Sequence, residues 1–210
     1  MRPLSLLLAL GLLVAAHAAL ADERTQAAPP PPAGMAVATF AGGCFWCMEP
    51  PFDKLPGVVS TTSGYTGGTK VGATYREVSA GTTGHAEAVR IVYDPAKVSY
   101  GTLVAVFWRN VDPVDAGGQF CDRGDEYRTG IFVHDAEQRR VAEESKRQLA
   151  ESNRLGKPIV TQIVDAGPFY IAEDYHQNYF LNNGYQPYCQ VIIAPKVAKF
   201  RKQHLERLKA

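Results

Sequence analysis

The sequence predicts an α/β or α+β domain of two layers, because strand-like and helix-like segments alternate along most of the chain. Short runs of β-branched and apolar residues between turn residues indicate the strands, and apolar stripes at helical spacing indicate the helices. Of the 210 residues, about 35–210 are enough for one domain with a sizeable core. The order of the strands stays open at this point.

The first 21 residues predict a secretory signal peptide. Arg2 precedes an apolar run from Leu4 to Ala16, and small residues follow before the first acidic ones. A helix needs roughly 20 apolar residues to cross a bilayer core of about 30 Å, so this run is too short to span it. We therefore expect cleavage after Ala21 and a periplasmic or secreted protein.

Residues 22–34 predict a proline-rich spacer, because they are polar at first and then contain four consecutive prolines. Folding is expected to begin near Met35, with residues 35–210 forming a single catalytic domain. Loss of the signal peptide would leave 21 basic and 21 acidic residues. This balance argues against nucleic acid or an anionic membrane as a partner.

Strands and one short helix are predicted around the first cysteines. The apolar run at residues 36–40 predicts a strand, and residues 48–55 predict a helix that an internal Pro-Pro pair delays or distorts. Residues 58–62 have the composition of a second strand. Residues 64–84 are rich in glycine and threonine without a clear period, which is typical of functional loops.

Residues 86–93 predict a strand with one unusual position. Strand alternation places Glu87 on the same face as the apolar residues Val89, Ile91 and Tyr93. A carboxyl on such a face would be desolvated, which raises its pKa and suits it to act as an acid near neutral pH. A glutamate at an exposed edge, or in an ion pair, is the alternative.

Ser99 and Asp135 are the predicted N-caps of two helices, and Asp135 has a glutamine at the capping-box position three residues later. The predicted elements of this half are a helix over 99–110, a loop over 112–127, a strand over 129–134, a helix over 135–153, a strand over 158–165, a short helix over 172–180 and a basic helix over 194–208.

Cys44 follows two glycines at the junction of a predicted strand and a predicted helix. Glycines permit a sharp turn there, and a cysteine at a helix N-terminus is close to unpaired N–H groups that favour a thiolate. Cys44 and Cys47 also form a Cys-x-x-Cys pair, a setting in which the thiol pKa commonly falls below its free value of about 8.5. Cys44 is therefore the predicted nucleophile.

Two other interpretations of the cysteines remain. Cys44 and Cys47 could be small buried hydrophobic residues, since free cysteine is often buried. A structural zinc site needs four ligands, usually from a second Cys-x-x-Cys or a histidine pair, and here the remaining cysteines are the isolated Cys121 and Cys189.

Seven motifs occur in order over roughly residues 37–200. They are Gly43-Cys44-Phe45-Trp46, Gly64-Tyr65-Thr66-Gly67-Gly68, Thr74-Tyr75-Arg76-Glu77-Val78, Thr83-Gly84-His85-Ala86-Glu87-Ala88-Val89, Phe107-Trp108 with Asp112-Pro113, Cys121-Asp122-Arg123-Gly124 through Tyr127-Arg128, and Ala172-Glu173-Asp174-Tyr175-His176-Gln177. This series resembles the A-type peptide methionine sulfoxide reductases.

The resemblance implies a two-layer fold with a ferredoxin-like core and a long, irregular C-terminal part. It implies reduction of the S epimer of methionine sulfoxide, free or in proteins, by a monomer that needs no metal or organic cofactor. Cys44 matches the nucleophile, and Glu87 matches the acid that protonates the sulfoxide oxygen. Tyr75 and Tyr127 match the hydroxyl groups that hold this oxygen.

The resemblance also assigns the substrate pocket. Phe45 and Trp46 match the wall around the substrate methyl group, and Asp122 matches a residue that lines the same pocket. His85 and His176 have no matched catalytic role, so we interpret both as hydrogen-bonding scaffold.

The resolving step stays open. The oxidised Cys44 would be a sulfenic acid, which another thiol condenses to a disulfide before a thioredoxin-like protein reduces it. Cys189 matches the resolving cysteine in the tail of many members and is slightly favoured for that reason. Cys47 stands where glycine is usual and is nearer in the sequence. Cys121 is a third candidate.

Two other functions compete with the reductase. A thiol–disulfide oxidoreductase could use Cys44 and Cys47, but the thioredoxin pattern of a tryptophan before the first cysteine is missing, and the acid at Glu87 would have no use. A non-enzymatic binding module could use the aromatic residues, but it would not explain Cys44.

Overall fold

A six-stranded sheet forms the centre of the structure, a computed structural model that describes residues 25–152, 154–195 and 197–198. Its strands are β1 (Ala36–Gly42), β2 (Val58–Thr66), β3 (Ala86–Tyr93), β6 (Thr129–Val133), β7 (Gln162–Asp165) and β8 (Tyr170–Ile171), and a separate two-stranded ribbon consists of β4 (Gly118–Gln119) and β5 (Asp122–Arg123). The predicted signal peptide and most of the predicted C-terminal helix lie outside the described residues.

The described part of the chain also contains five α-helices. They are α1 (Phe45–Asp53), α2 (Tyr75–Ser79), α3 (Tyr100–Asn110), α4 (Ala136–Glu151) and α5 (Tyr179–Asn182), joined by 3₁₀ turns at Asp125–Tyr127 and Asp174–His176 and a π-helical turn at Cys189–Ile193.

The order of the strands is β7-β6-β1-β3-β2-β8. Every neighbouring pair is antiparallel except β6 with β7, which are parallel. The four central strands β6-β1-β3-β2, with α1 after β1 and α3 after β3, form the β-α-β-β-α-β arrangement of a ferredoxin-like core. The predicted two-layer α/β fold is confirmed.

Alternation along β3 separates two clusters on the two faces of the sheet. Val89, Ile91 and Tyr93 belong to the large core beneath the helices, whereas Ala86 and Ala88 belong to a small cluster on the opposite face. The second cluster also contains Ala41, Phe132 and Phe169. The alternation predicted from the sequence is confirmed.

Phe40 lies at the centre of the large core. Its ring stacks on Phe52 of α1 at 5.6 Å between centroids, on Phe107 of α3 at 5.2 Å and on Tyr100 at 6.2 Å. One fully buried side chain of β1 therefore joins both core helices to the sheet.

Several elements differ from the prediction. β2 runs on to Thr66, and α2 forms within the predicted loop, where Thr74 and Glu77 make a capping box. The strand predicted over 158–165 is confined to Gln162–Asp165.

The helix predicted over 172–180 is also broken up, into a 3₁₀ turn at Asp174–His176 and the start of α5. The Gln177 side chain explains this break. It binds both the backbone N–H and the backbone carbonyl of Ser63 in β2, as well as the Ala172 carbonyl. These long-range bonds fix the segment in a form that local propensity does not reveal.

Residues 25–28 of the predicted spacer lie against the sheet. The Ala28 N–H donates to the Phe169 carbonyl at 2.7 Å, and the Ile171 N–H donates to the Gln26 carbonyl at 2.8 Å. The Thr25 hydroxyl donates to the Ala73 carbonyl at 2.7 Å. Ordered backbone pairing therefore begins before Met35. In the described residues, no helix has the length and apolarity needed to cross a membrane.

The position of Phe40 generates the first prediction. Phe40→Ala should lower the free energy of unfolding by about 3–5 kcal/mol, because the cavity would open between both helices and the sheet. Urea denaturation measures this change. Val59→Ala, at an exposed strand position, is the control and should change the value by less than about 0.5 kcal/mol. Equal small losses for both variants would contradict a central role for Phe40.

Candidate active site

Two glycines, Gly42 and Gly43, allow the tight turn that places Cys44 at the start of α1. Gly43 has a φ of +84°, and a Cβ atom there would lie 2.5 Å from the Cβ of Gln119. A Cβ atom on Gly42 would lie 2.6 Å from the Sδ of Met48. The chain therefore turns in a space that no larger residue fits, and Cys44 becomes the N-cap residue of the helix with only 8% of its surface exposed.

Glu87 lies against the same helix N-terminus. It is opposite Tyr65 in the β2–β3 register, is 2% exposed, and its Oε2 accepts the Phe45 backbone N–H at 3.0 Å. Burial raises the pKa of Glu87 to about 8, nearby Asp122 and Glu126 act in the same direction, and the Phe45 N–H opposes them. Because Oε2 accepts this bond, Oε1 is left to carry the proton of the neutral acid.

Cys44 is a thiol rather than the predicted thiolate. Burial, a hydrogen bond with Cys47 and the Glu87 carboxylate all raise the pKa of Cys44 well above its ordinary value. The expectation of a lowered pKa was wrong for a specific reason, since the first N–H of the helix binds Glu87 instead of the sulfur. At neutral pH both Cys44 and Glu87 therefore hold their protons.

Two tyrosines complete the polar side of the site. Tyr75 is the first residue of α2, and Tyr127 ends the 3₁₀ turn after β5; both are partly buried. Burial, together with the charges of Glu87 and Cys44, raises the pKa of Tyr75 to about 12 and raises that of Tyr127 as well. Both phenols therefore remain hydrogen-bond donors.

An aromatic wall forms the apolar side. Phe45 is buried, and the half-buried Trp46 stacks on Tyr179 of α5 with centroids 3.6 Å apart. The Trp46 Nε1–H donates to Nδ1 of His176 at 3.1 Å. Burial lowers the pKa of His176 to about 4, so its ring is neutral and accepts this bond. The scaffold role expected for His176 thus fits its contacts.

His85 holds the glycine-rich loop instead. Its Nδ1 accepts the Gly68 N–H at 3.0 Å, and its Nε2 donates to the Lys70 carbonyl at 2.7 Å. This pattern agrees with the scaffold interpretation of His85.

Glu173 has a positioning role that sequence reasoning missed. One of its oxygens accepts the Tyr65 hydroxyl and the other accepts the Tyr75 N–H, both at 2.8 Å. The carboxylate therefore fixes the start of the helix that carries the Tyr75 phenol. The sequence did contain a hint of this role. Glu173 belongs to the same motif as His176, and the resemblance assigned no role to its carboxyl group.

The contacts of Tyr188 were also not predicted from the sequence. Its hydroxyl donates to Oδ2 of Asp122 at 2.7 Å and lies 3.7 Å from the Cys47 sulfur, and its ring meets the Trp46 edge with centroids 6.1 Å apart. The segment after α5 therefore folds back over the cysteine pair. Nothing in the local sequence indicates this long-range contact.

The four cysteines, all within the described residues, are reduced thiols in three different environments. The Cys47 backbone N–H donates to the Cys44 carbonyl at 3.0 Å, so Cys47 lies one turn further along and its side chain bonds that of Cys44. Cys189 is fully buried, and the charge of Cys47 contributes to its raised pKa. Cys121 is exposed.

The predicted site residues therefore converge. Cys44, Glu87, Tyr75, Tyr127 and Asp122 act on one another electrostatically, and Phe45, Trp46 and Cys47 adjoin them. This arrangement places a thiol, a neutral carboxylic acid and two phenols beside an aromatic surface. It can attack a polar group that must be protonated as it reacts, while an apolar substituent rests on the wall.

Comparisons with known proteins agree with this chemistry. The family model described as peptide methionine sulfoxide reductase matches residues 36–209. A protein from Ligilactobacillus salivarius named peptide methionine sulfoxide reductase MsrA is 62% identical over 146 residues, which are 70% of this chain and 85% of that protein. A Bacillus licheniformis protein of the same name is 51% identical over 171 residues, 81% of this chain and 94% of that protein.

Solved structures agree as well. Methionine sulfoxide reductase A of Corynebacterium diphtheriae has a TM-score of 0.66 and 32% identity, covering 79% of this chain and 91% of that one. Reduced Mxr1 from Saccharomyces cerevisiae has a TM-score of 0.69 and 29% identity, covering 77% and 92%. Mxr1 has also been solved in complex with Trx2.

The raised pKa of Glu87 generates a prediction about stability. In the unfolded chain this carboxyl has a pKa near 4.5, against about 8 in the folded protein. The stability that the neutral Glu87 carboxyl contributes is therefore fully present below about pH 4.5. It is lost as the pH rises through about 8, because the buried group must ionise.

Glu87→Gln removes that loss, since the amide oxygen still accepts the Phe45 N–H. We expect the unfolding free energy of the variant, relative to wild type, to rise by about 2–4 kcal/mol between pH 5 and pH 9. Chemical denaturation across this range measures the difference. Glu143→Gln, at an exposed position on α4, is the control and should give a nearly constant difference. A constant difference for Glu87→Gln would mean that its pKa is ordinary.

Proposed function

The chain belongs to the peptide methionine sulfoxide reductase family, and we propose that it reduces the S epimer of methionine sulfoxide through a Cys44 sulfenic acid and then an intramolecular disulfide. One observation carries this proposal. The buried Glu87 acid, with a pKa of about 8, is hydrogen-bonded to the residue that follows the Cys44 nucleophile.

The residues of the site supply each requirement of the reaction. Sulfoxide oxygen is a poor leaving group, so the attack of Cys44 on the substrate sulfur needs a proton delivered to oxygen. Glu87 gives that proton and takes up the proton of the Cys44 thiol. Tyr75 and Tyr127 donate hydrogen bonds to the same oxygen. The methyl group of the substrate rests against Phe45 and Trp46.

The overall step balances without another reactant. The sulfoxide sulfur gains two electrons and loses its oxygen, and the Cys44 sulfur loses two electrons and gains that oxygen as a hydroxyl group. Methionine leaves, and Cys44 remains as a sulfenic acid.

A second thiol then condenses with the sulfenic acid. The resemblance slightly favoured Cys189 over Cys47. We instead propose Cys47 for the first disulfide, because its side chain already bonds Cys44 from one helical turn away. Residues at this spacing have Cβ atoms about 5–6 Å apart, close enough for a disulfide after a small adjustment. Cys189, buried beside Cys47, is placed to exchange with it afterwards.

The reductant and the location complete the proposal. The yeast protein Mxr1 has been solved with Trx2, which supports a thioredoxin-like donor for this chain. The predicted signal peptide supports export, so the substrates would be oxidised proteins of the periplasm or the exterior. The proposed function is the repair of those proteins by a monomer.

The deciding experiment follows methionine release from the separate S and R epimers of methionine sulfoxide, with dithiothreitol as reductant. Wild type should reduce the S epimer only, and Cys44→Ser should be inactive, because the nucleophile is lost. Cys121→Ser, at the exposed cysteine, is the matched control and should retain activity. Reduction of the R epimer alone, or activity in Cys44→Ser, would refute the proposal.

The acid role of Glu87 predicts a specific pH dependence. Turnover of the S epimer should be retained below about pH 8 and fall above it, because Glu87 loses the proton that it must donate. Glu87→Gln should lower turnover about 10²–10⁴-fold and abolish that alkaline decline. Steady-state rates between pH 6 and pH 10 test both points, with Glu143→Gln as control. Near-normal turnover in Glu87→Gln would remove this residue from the mechanism.

A further inference from the structure

Tyr188 connects the cysteine pair to a carboxylate. A phenol has a single proton, and the Tyr188 hydroxyl donates it to Oδ2 of Asp122 at the short distance of 2.7 Å. Toward Cys47, at 3.7 Å, the same oxygen can therefore only accept. The direction of the contact follows, with the Cys47 S–H pointing at Tyr188 and the Tyr188 O–H pointing at Asp122.

Cys47 needs such an acceptor. The nucleophile in disulfide formation is a thiolate, whereas a free thiol has a pKa near 8.5. Cys47 is only 3% exposed, so bulk water has little access to its proton. The other groups beside it are poor bases, because Cys44 would be a sulfenic acid at that stage and Cys189 is a buried thiol of raised pKa.

We propose that Tyr188 and Asp122 form a proton-accepting chain that activates Cys47 as the resolving thiol. This inference rests on the proposed function and names the groups that act in its second step. Tyr188 is a catalytic residue of that step, since its oxygen touches the reacting thiol, and Asp122 is the final acceptor.

The step balances as follows. The Cys47 thiol proton passes to the Tyr188 oxygen while the Tyr188 proton passes to Asp122. The Cys47 sulfur attacks the Cys44 sulfur, an S–S bond forms and the S–O bond breaks. The departing hydroxide takes a proton from Glu87 and leaves as water. Both sulfurs end at the disulfide level, and no further oxidant is required.

The position of Tyr188 favours Cys47 over Cys189 as the thiol that it serves. Tyr188 precedes Cys189 in the chain, yet its hydroxyl is directed at Cys47. The Cys189 side chain is fully buried in the main core cluster.

The experiment is a single turnover without reductant, using a peptide that contains S-methionine sulfoxide. Quenched samples give the rate of methionine release and, by peptide mapping after alkylation, the rate and identity of the first disulfide. Dimedone added during the reaction traps the sulfenic acid. Tyr188→Phe should slow disulfide formation at least about tenfold relative to methionine release and increase the dimedone adduct on Cys44.

Three further variants sharpen the result. Tyr185→Phe, at an exposed position in the same segment, is the matched control and should behave as wild type. Asp122→Asn should also slow disulfide formation relative to methionine release, because the amide cannot accept the proton. In a Cys47→Ser background, Tyr188→Phe should have no additional effect on the remaining disulfide formation.

The failures are distinguishable. If wild type releases no methionine, the proposed function fails before this inference is reached. If methionine is released but the first disulfide joins Cys44 to Cys189, the inference is overturned together with the choice of Cys47 as the resolving thiol, while the reduction of the sulfoxide by Cys44 stands. The inference alone is overturned if Tyr188→Phe forms the Cys44–Cys47 disulfide at the wild-type rate, or if its effect persists without Cys47.

Discussion

The hydrogen bond from the Phe45 N–H to Glu87 is the contact on which the rest of the site depends. It joins the first turn of α1 to β3, one of the two central strands of the sheet, and therefore fixes the thiol of Cys44 relative to the acid. The bond exists only because the chain turns tightly at Gly43 and because β3 pairs with β2 in the register that places Glu87 opposite Tyr65. A slip of one residue would turn the carboxyl to the other face of the sheet.

That bond also explains the acid–base character of the site. A helix N-terminus usually favours an anion, but here its N–H supports a carboxyl that burial keeps neutral, and the sulfur receives no such help. Such a site keeps both its thiol and its carboxyl protonated at neutral pH, which suits it to reducing a substrate that must be protonated. In return, the folded protein is less stable at alkaline pH, which is common where function requires buried ionisable groups.

The sequence predicted the parts of this arrangement that depend on local pattern. Two-residue alternation identified Glu87 as buried, the glycine pair identified the turn before Cys44, and the ordered motifs indicated the family. It could not predict features produced by distant contacts. Glu173 and Tyr188 meet residues far away along the chain, and the state of Cys44 depends on which acceptor takes a single N–H. Local propensity also suggested one continuous helix where the Gln177 side chain holds an irregular segment.

The pairing of residues 26–28 with the outer strand has a consequence for the behaviour of the protein in solution. An edge strand offers unpaired N–H and carbonyl groups to any other extended chain. β8 is such an edge, and the N-terminal segment already uses its groups through the bonds to Phe169 and Ile171. A chain shortened to Met35 would keep every catalytic side chain but expose that edge, and would gain a route to edge-to-edge association between molecules.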